Sequence, residues 1–169
     1  MRIGAVILFF FLILAAIPAA ADIPLPLPKG PVILTVSGDL SVANVGGEAH
    51  FDAAMLEELG LVNVKTSTSW TTGAPVFRGV LVRDLLARLG AKGVSVEAIA
   101  LNDYRVRLPI GDFAQYDVIL AMWQDGTRLT RRDKGPLWVI YPRDDHPEIL
   151  DAAGESKFIW QLKRMEILN

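Results

Sequence analysis

The 169-residue sequence contains no cysteine. Disulfides, iron–sulfur clusters, thiolate zinc sites, cysteine nucleophiles and a lipidated N-terminal cysteine are all excluded. Histidine is nearly absent. Only His50 and His146 occur, and neither has a second histidine at metal-ligand spacing. A basic surplus is missing too, with 17 Lys and Arg against 19 Asp and Glu. No nucleic-acid partner is therefore expected. There is no nucleophile elbow, no phosphate loop and no internal repeat. Disorder is excluded by a 51% hydrophobic content and a mean hydropathy of +0.34. What remains is the length and composition of one globular domain.

The hydrophobic excess is concentrated at the start. Arg2 is followed by an unbroken apolar run from Ala5 to Ile17, then Pro18 and Ala19-Ala20-Ala21. A basic start, an apolar centre and a small-residue exit describe a secretory leader over 1–21, cleaved after Ala21. The competing reading is an uncleaved anchor, since Ile3 to Ala21 is long enough to span a bilayer. No Arg-Arg pair is present, so a twin-arginine signal is not supported. The protein is expected to be exported, periplasmic or secreted. It touches the membrane only if the leader stays.

The rest reads as a proline-rich tether over 22–31 and one domain over 32–169. Alternating Pro24, Pro26, Pro28 and Pro31 favour extended backbone. Val32 to Val36 reads as a strand. Asp52 N-caps a short helix bearing Met55, Leu56 and Leu59, stopped by Gly60. Leu61 to Ser69 is strand-prone. Val80 to Leu89 reads as a second helix with Leu81, Leu85, Leu86 and Leu89 inward and Gly90 at its end. Strands follow at Val94 to Leu101 and Tyr104 to Leu108, joined by Asn102-Asp103, with a brief helical turn at Pro109 to Asp112. Val118 to Trp123, Leu137 to Tyr141 and Trp160 to Leu168 complete the set. Strands and short helices do not alternate regularly, so the expected class is α+β with a mixed sheet.

Four pieces of this chain carry a family resemblance, in order. Phe77-Arg78-Gly79-Val80-Leu81-Val82-Arg83-Asp84-Leu85-Leu86 is similar to the start of a helix in the molybdopterin-binding domain of sulfite-oxidase-type oxidoreductases. Asn102-Asp103-Tyr104-Arg105-Val106-Arg107-Leu108-Pro109 resembles that family's Asp-Gly-Tyr hairpin. Ile119-Leu120-Ala121 with Asp125-Gly126 and Leu129 resembles a second hairpin. Gly135-Pro136-Leu137 with Pro142 resembles a later strand. The resemblance runs from about Val32 to Leu168. It implies that family's fold.

The family holds molybdenum through a cysteine thiolate upstream of the Gly-Val pair. Here the corresponding region reads Val64-Lys65-Thr66-Ser67-Thr68-Ser69-Trp70-Thr71-Thr72. The family's arginine after Gly-Pro-Leu is Trp138. With no thiolate and no twin-arginine leader, the leading expectation is an exported module that keeps the fold, holds no cofactor, and binds a small polar or anionic ligand or a periplasmic protein. The alternative is a molybdopterin-dependent oxidoreductase with a non-cysteine metal environment, Ser67 or Ser69 supplying oxygen. A hard oxygen would tune a metal differently from a soft thiolate. A third reading is a structural periplasmic subunit.

The candidate ligand-binding residues are Thr68, Ser69, Trp70, Arg131 and Arg132. Hydroxyls interleaved with an indole suit a polar ligand, and equally a Thr-rich edge strand. Arg128, Arg131, Arg132 and Lys134, with Arg143 after the next strand, can clamp an anion, or form a solvated hairpin tip neutralised by Asp133, Asp144 and Asp145. His146, between Asp145 and Pro147, reads as a surface loop. Trp123, Trp138 and Trp160 read as strand residues of the core. No catalytic or metal-ligating residue is assigned.

Overall fold

Inward Leu34 and Val36 alternate with less buried Thr35 and Ser37, which makes β1 (Leu34–Gly38) a strand with one face on the core. The computed structural model describes residues 24–149 and 152–169. The leader over 1–21 lies outside them. Among the described residues no helix is long and apolar enough to cross a membrane.

Beyond β1 come β2 (Ala49–Phe51), α1 (Ala53–Glu57), β3 (Val62–Lys65), β4 (Val76–Leu81), α2 (Val82–Leu89), β5 (Ser95–Ala100) and β6 (Arg105–Pro109). The chain continues through α3 (Ile110–Gln115), β7 (Ile119–Gln124), β8 (Thr127–Arg128), β9 (Trp138–Ile140), a 3₁₀ turn at Pro147–Ile149, α4 (Ala152–Ser156) and β10 (Leu162–Leu168). The first sheet has the order β2-β1-β10-β5-β6. Its β1–β10 pair is parallel and its other pairs are antiparallel, so it is mixed. The second sheet is antiparallel, in the order β3-β4-β7-β8, with β9 also on β7. The α+β expectation holds.

Between the sheets lies one core that includes Leu34, Phe51, Leu56, Phe77, Leu85, Leu89, Ile119 and Trp138, each without exposed surface. The second helix begins later than its pattern suggests. Val80 and Leu81 belong to β4, and only Val82–Leu89 is helical. The apolar run serves both elements, which hides the boundary from periodicity alone. Gly90 ends the helix in the left-handed conformation, φ 58°. Gly79 has a different role. A β-carbon there would lie 2.0 Å from the Leu120 carbonyl oxygen, at the register shift between β4 and β7. Close strand approach requires glycine at this point.

The proline-rich segment is docked over its described part, not free. Leu25 is buried. Asn44 Nδ2 donates to the Pro26 carbonyl at 2.7 Å. Asp52 accepts from the Lys29 and Gly30 amides, both at 2.8 Å, and from its own helix at Met55 N, 2.9 Å. The carboxylate that caps α1 thus also fixes the strap that crosses it. These amides hold the Asp52 carboxyl below its ordinary value, Met55 most strongly.

Candidate functional site

The hydroxyl-rich loop begins where β3 ends. Thr66 is fully buried and Thr68 nearly so. The Thr66 amide donates to the Pro75 carbonyl, which closes the loop at its base. Thr68 Oγ1 accepts from the Trp70 amide at 3.1 Å and bonds to Thr71 Oγ1 at 3.2 Å. These hydroxyls are used in folding the turn. Ser67 is committed as well. Its amide and hydroxyl both donate to Asp144, at 2.7 and 2.5 Å. The Asp144 amide in turn donates to Thr66 Oγ1 at 3.2 Å. The loop is therefore clipped to the segment after β9.

Ser69, Trp70 and Thr72 are the members left exposed. Ser69 is exposed, and its hydroxyl accepts from Arg143 Nη1 at 3.4 Å. Arg143 Nη1 also donates to Glu155 Oε1 at 2.5 Å. Arg143 Nε and Glu155 Oε2 are buried and find no hydrogen-bond partner among the described residues. Buried polar atoms in native proteins are normally satisfied. A donor and an acceptor are thus left over beside the loop.

Trp70 is 39% exposed and closes one side of a cavity of about 190 Å³. Its ring meets Trp160 at 4.9 Å and 78°, and Phe158 at 6.4 Å and 51°. Asn102, Tyr104 and Glu155 also line it. The segment behind these rings is fixed from several sides. Lys157 Nζ donates to Asp112 Oδ2 at 2.8 Å, and the Tyr141 hydroxyl donates to the same oxygen at 3.1 Å. Burial, with the Asp112 charge, pushes the Tyr141 phenol far above its ordinary value, so it stays protonated. The Val139 amide donates to Ile159 O, and the Gln161 amide to Lys134 O.

The five residues predicted to bind ligand do not converge on one depression. Thr68 is consumed in the turn, whereas Ser69 and Trp70 face the site. Arg131 lies elsewhere, lining a second depression with Lys163, Arg164 and Thr35. Its carbonyl accepts from Gln161 Nε2 at 2.9 Å, so the Gln161 side chain ties the cationic turn to the Trp160 segment. Arg132 is exposed in the turn between β8 and β9, which both pair with β7 and not with each other, so the expected hairpin tip is a connecting turn. Arg128, from the same cluster, packs over the Trp123 ring at 4.6 Å and pairs with Glu57. Glu155, Asn102, Tyr104 and Phe158 are not among the expected site residues, and Arg143 was expected only beside the cation cluster. Asn102 and Tyr104 were visible only as hairpin residues, and Arg143 only as the cation after a strand.

Trp160 is corrected in both place and role. It precedes β10, is half-buried and walls the cavity. Trp138 is core as expected. His146 sits in a loop against Tyr116 and Glu148. Among the described residues no group of three His, Asp or Glu side chains is placed to hold a metal ion.

The family model described as oxidoreductase molybdopterin binding domain matches residues 51–144, more than half of the chain and including the whole hydroxyl loop. A search of curated proteins found no match. Among solved structures, the sulfane dehydrogenase SoxCD from Paracoccus pantotrophus is similar, with a TM-score of 0.60 at 17% identity. That likeness, one of fold, covers 80% of this chain and 37% of the other, so this chain spans little more than a third of that one. The expectation of a site with no cofactor is overturned by the family match. The physical reason is that a thiolate is one bond to a metal, whereas the organic part of such a cofactor is held by the surrounding scaffold. Loss of the bond does not remove the scaffold. This chain belongs to the oxidoreductase molybdopterin-binding domain family.

Proposed function

We propose that this domain is a molybdopterin-dependent oxidoreductase domain in which oxygen donors replace the thiolate. The observation that carries the reading is the exposed Ser69 hydroxyl beside Arg143, in a loop that the family match spans. The residues fit the group in one specific respect. Arg143 Nε and Glu155 Oε2 are a donor and an acceptor with no partner among the described residues. When bound, the cofactor supplies a two-electron redox centre.

The chain's own residues provide position and charge. Asp144 holds Ser67 through two hydrogen bonds and so fixes the loop. Arg143 brings a permanent positive charge to Ser69 and favours an anionic group there. The side chain of Arg143 is 16% exposed, so water screens that charge only in part. Ser69 offers the accessible hydroxyl oxygen. Trp70 shields the side toward the aromatic cavity. The apolar leader supports a place of action outside the cytoplasm.

The test is to isolate the full chain from a host that makes molybdopterin and to measure molybdenum and released pterin. Near-stoichiometric pterin is expected. Ser69→Ala should lower metal content more than pterin content, because it removes an oxygen donor and not the scaffold. Protein free of both pterin and metal overturns the proposal.

A further inference from the structure

We propose that the cavity behind Trp70 binds a small organic cation of the trimethylammonium class. This goes beyond the cofactor reading and does not depend on it. The walls are Trp70, Trp160, Phe158 and Tyr104, with Asn102 and Glu155 at the polar side. Glu155 is the only charged side chain along the wall among the described residues, and no Lys or Arg lines it. Arg143 pairs with Glu155 Oε1 and Glu155 Oε2 is buried, so the attraction for a cation comes from the aromatic rings and not from that carboxylate.

The geometry selects among ligand shapes. A flat ring is best held between parallel aromatic faces. Here Trp70 stands at 78° to Trp160 and at 51° to Phe158. Rings that meet at a corner present faces and edges from different directions, which suits a compact, near-spherical group. Tryptophan is also the best aromatic partner for a cation. The volume of about 190 Å³ exceeds the roughly 150 Å³ that accommodates a benzene. An anion would find no cationic side chain on the wall. Trp70 and Tyr104 remain 39% and 49% exposed, a large aromatic surface that a bound ligand would cover.

The experiment titrates the full chain with choline and, separately, with 3,3-dimethylbutan-1-ol, its uncharged isostere. Calorimetry gives affinity, and the indole N–H resonances give location. Choline should bind at least about tenfold more tightly than the isostere, the margin expected of cation–π contacts in a partly desolvated site. The Trp70 and Trp160 signals should move, and those of Trp123 and Trp138 should not. Trp70→Ala should weaken choline binding by about tenfold or more with an unchanged circular dichroism spectrum. Equal affinity for the isostere would reduce the site to an apolar cavity and overturn the proposal, as would choline shifting none of the four indoles.

Discussion

Asp52→Ala tests how the start of the domain is held. The side chain is almost fully buried and accepts three backbone amides, at Lys29, Gly30 and Met55. Loss of the N-cap alone costs about 1 kcal/mol. The two strap amides add about 0.5–1.5 kcal/mol each, the net worth of a typical hydrogen bond. Together these give about 2–4 kcal/mol, or a fall of about 1–2 M in the urea midpoint for a slope near 2 kcal/mol/M. Hydrogen exchange should show the Lys29 and Gly30 amides losing protection first. The effect depends on pH in a fixed direction. The folded-state carboxyl titrates below its unfolded value. Its contribution is therefore complete above the unfolded value and is lost as pH falls through the folded one. Wild type and variant should converge in acid. A midpoint shift equivalent to less than about 0.5 kcal/mol at neutral pH, or unchanged exchange at Lys29 and Gly30, would refute the reasoning.

Leu85→Ala should destabilise by about 2–5 kcal/mol in urea unfolding, since Leu85 has no exposed surface on α2. An unchanged midpoint would mean that the helix does not pack through this face. Asp144→Ala should release Ser67 from its two hydrogen bonds at a global cost of about 1–3 kcal/mol. Amide exchange at Ser67 should rise while exchange in α2 does not, and uniform change across the chain would count against a local clip. The leader should be removed after Ala21, leaving Asp22 first. N-terminal sequencing from the cell envelope checks this, and intact Met1 in a membrane fraction would favour the anchor.

Local chemistry was legible in the sequence wherever a residue acts on its own neighbours. Asp52 as a cap, Gly90 as a helix stop and Asn102-Asp103 as a hairpin turn needed only short-range rules. The failures share a different cause. β4 was hidden because Phe77 to Leu81 runs directly into α2 without a break, and its identity depends on pairing with β3 and β7. Trp160 read as a strand residue because it borders an apolar run, whereas its place is set by hydrogen bonds from Val139 and Gln161 to distant carbonyl partners. The site was half legible for the same reason. Ser69 and Trp70 lie within one loop, but Arg143 joins them only across 74 residues of chain, and Glu155 joins Arg143 across a further 12. Proximity in sequence also misled. Arg131 and Arg132 are near Lys134 in the chain, yet Arg131 opens onto a separate depression.

Trp138 shows how one departure from the family pattern can build a new feature instead of only deleting an old one. An arginine after Gly-Pro-Leu would carry a charge that cannot be buried unpaired. Tryptophan can be buried, and here it is fully so. Its ring sits edge-on to Phe77 at 5.2 Å, and Lys134 Nζ lies 5.1 Å from the ring centre. The one polar atom it brings, Nε1–H, donates to the Phe158 carbonyl at 3.1 Å. That bond fixes the segment carrying Phe158 and Trp160. The ring itself lies 6.5 Å from Trp160 at 85°. Where the resemblance places an arginine, the indole thus acts as a strut behind the aromatic cavity. A smaller residue there would leave both a void and an unpaired carbonyl, and the cavity walls would lose their fixed angle. The same indole also orders the rings of the cavity for which a cationic ligand is proposed.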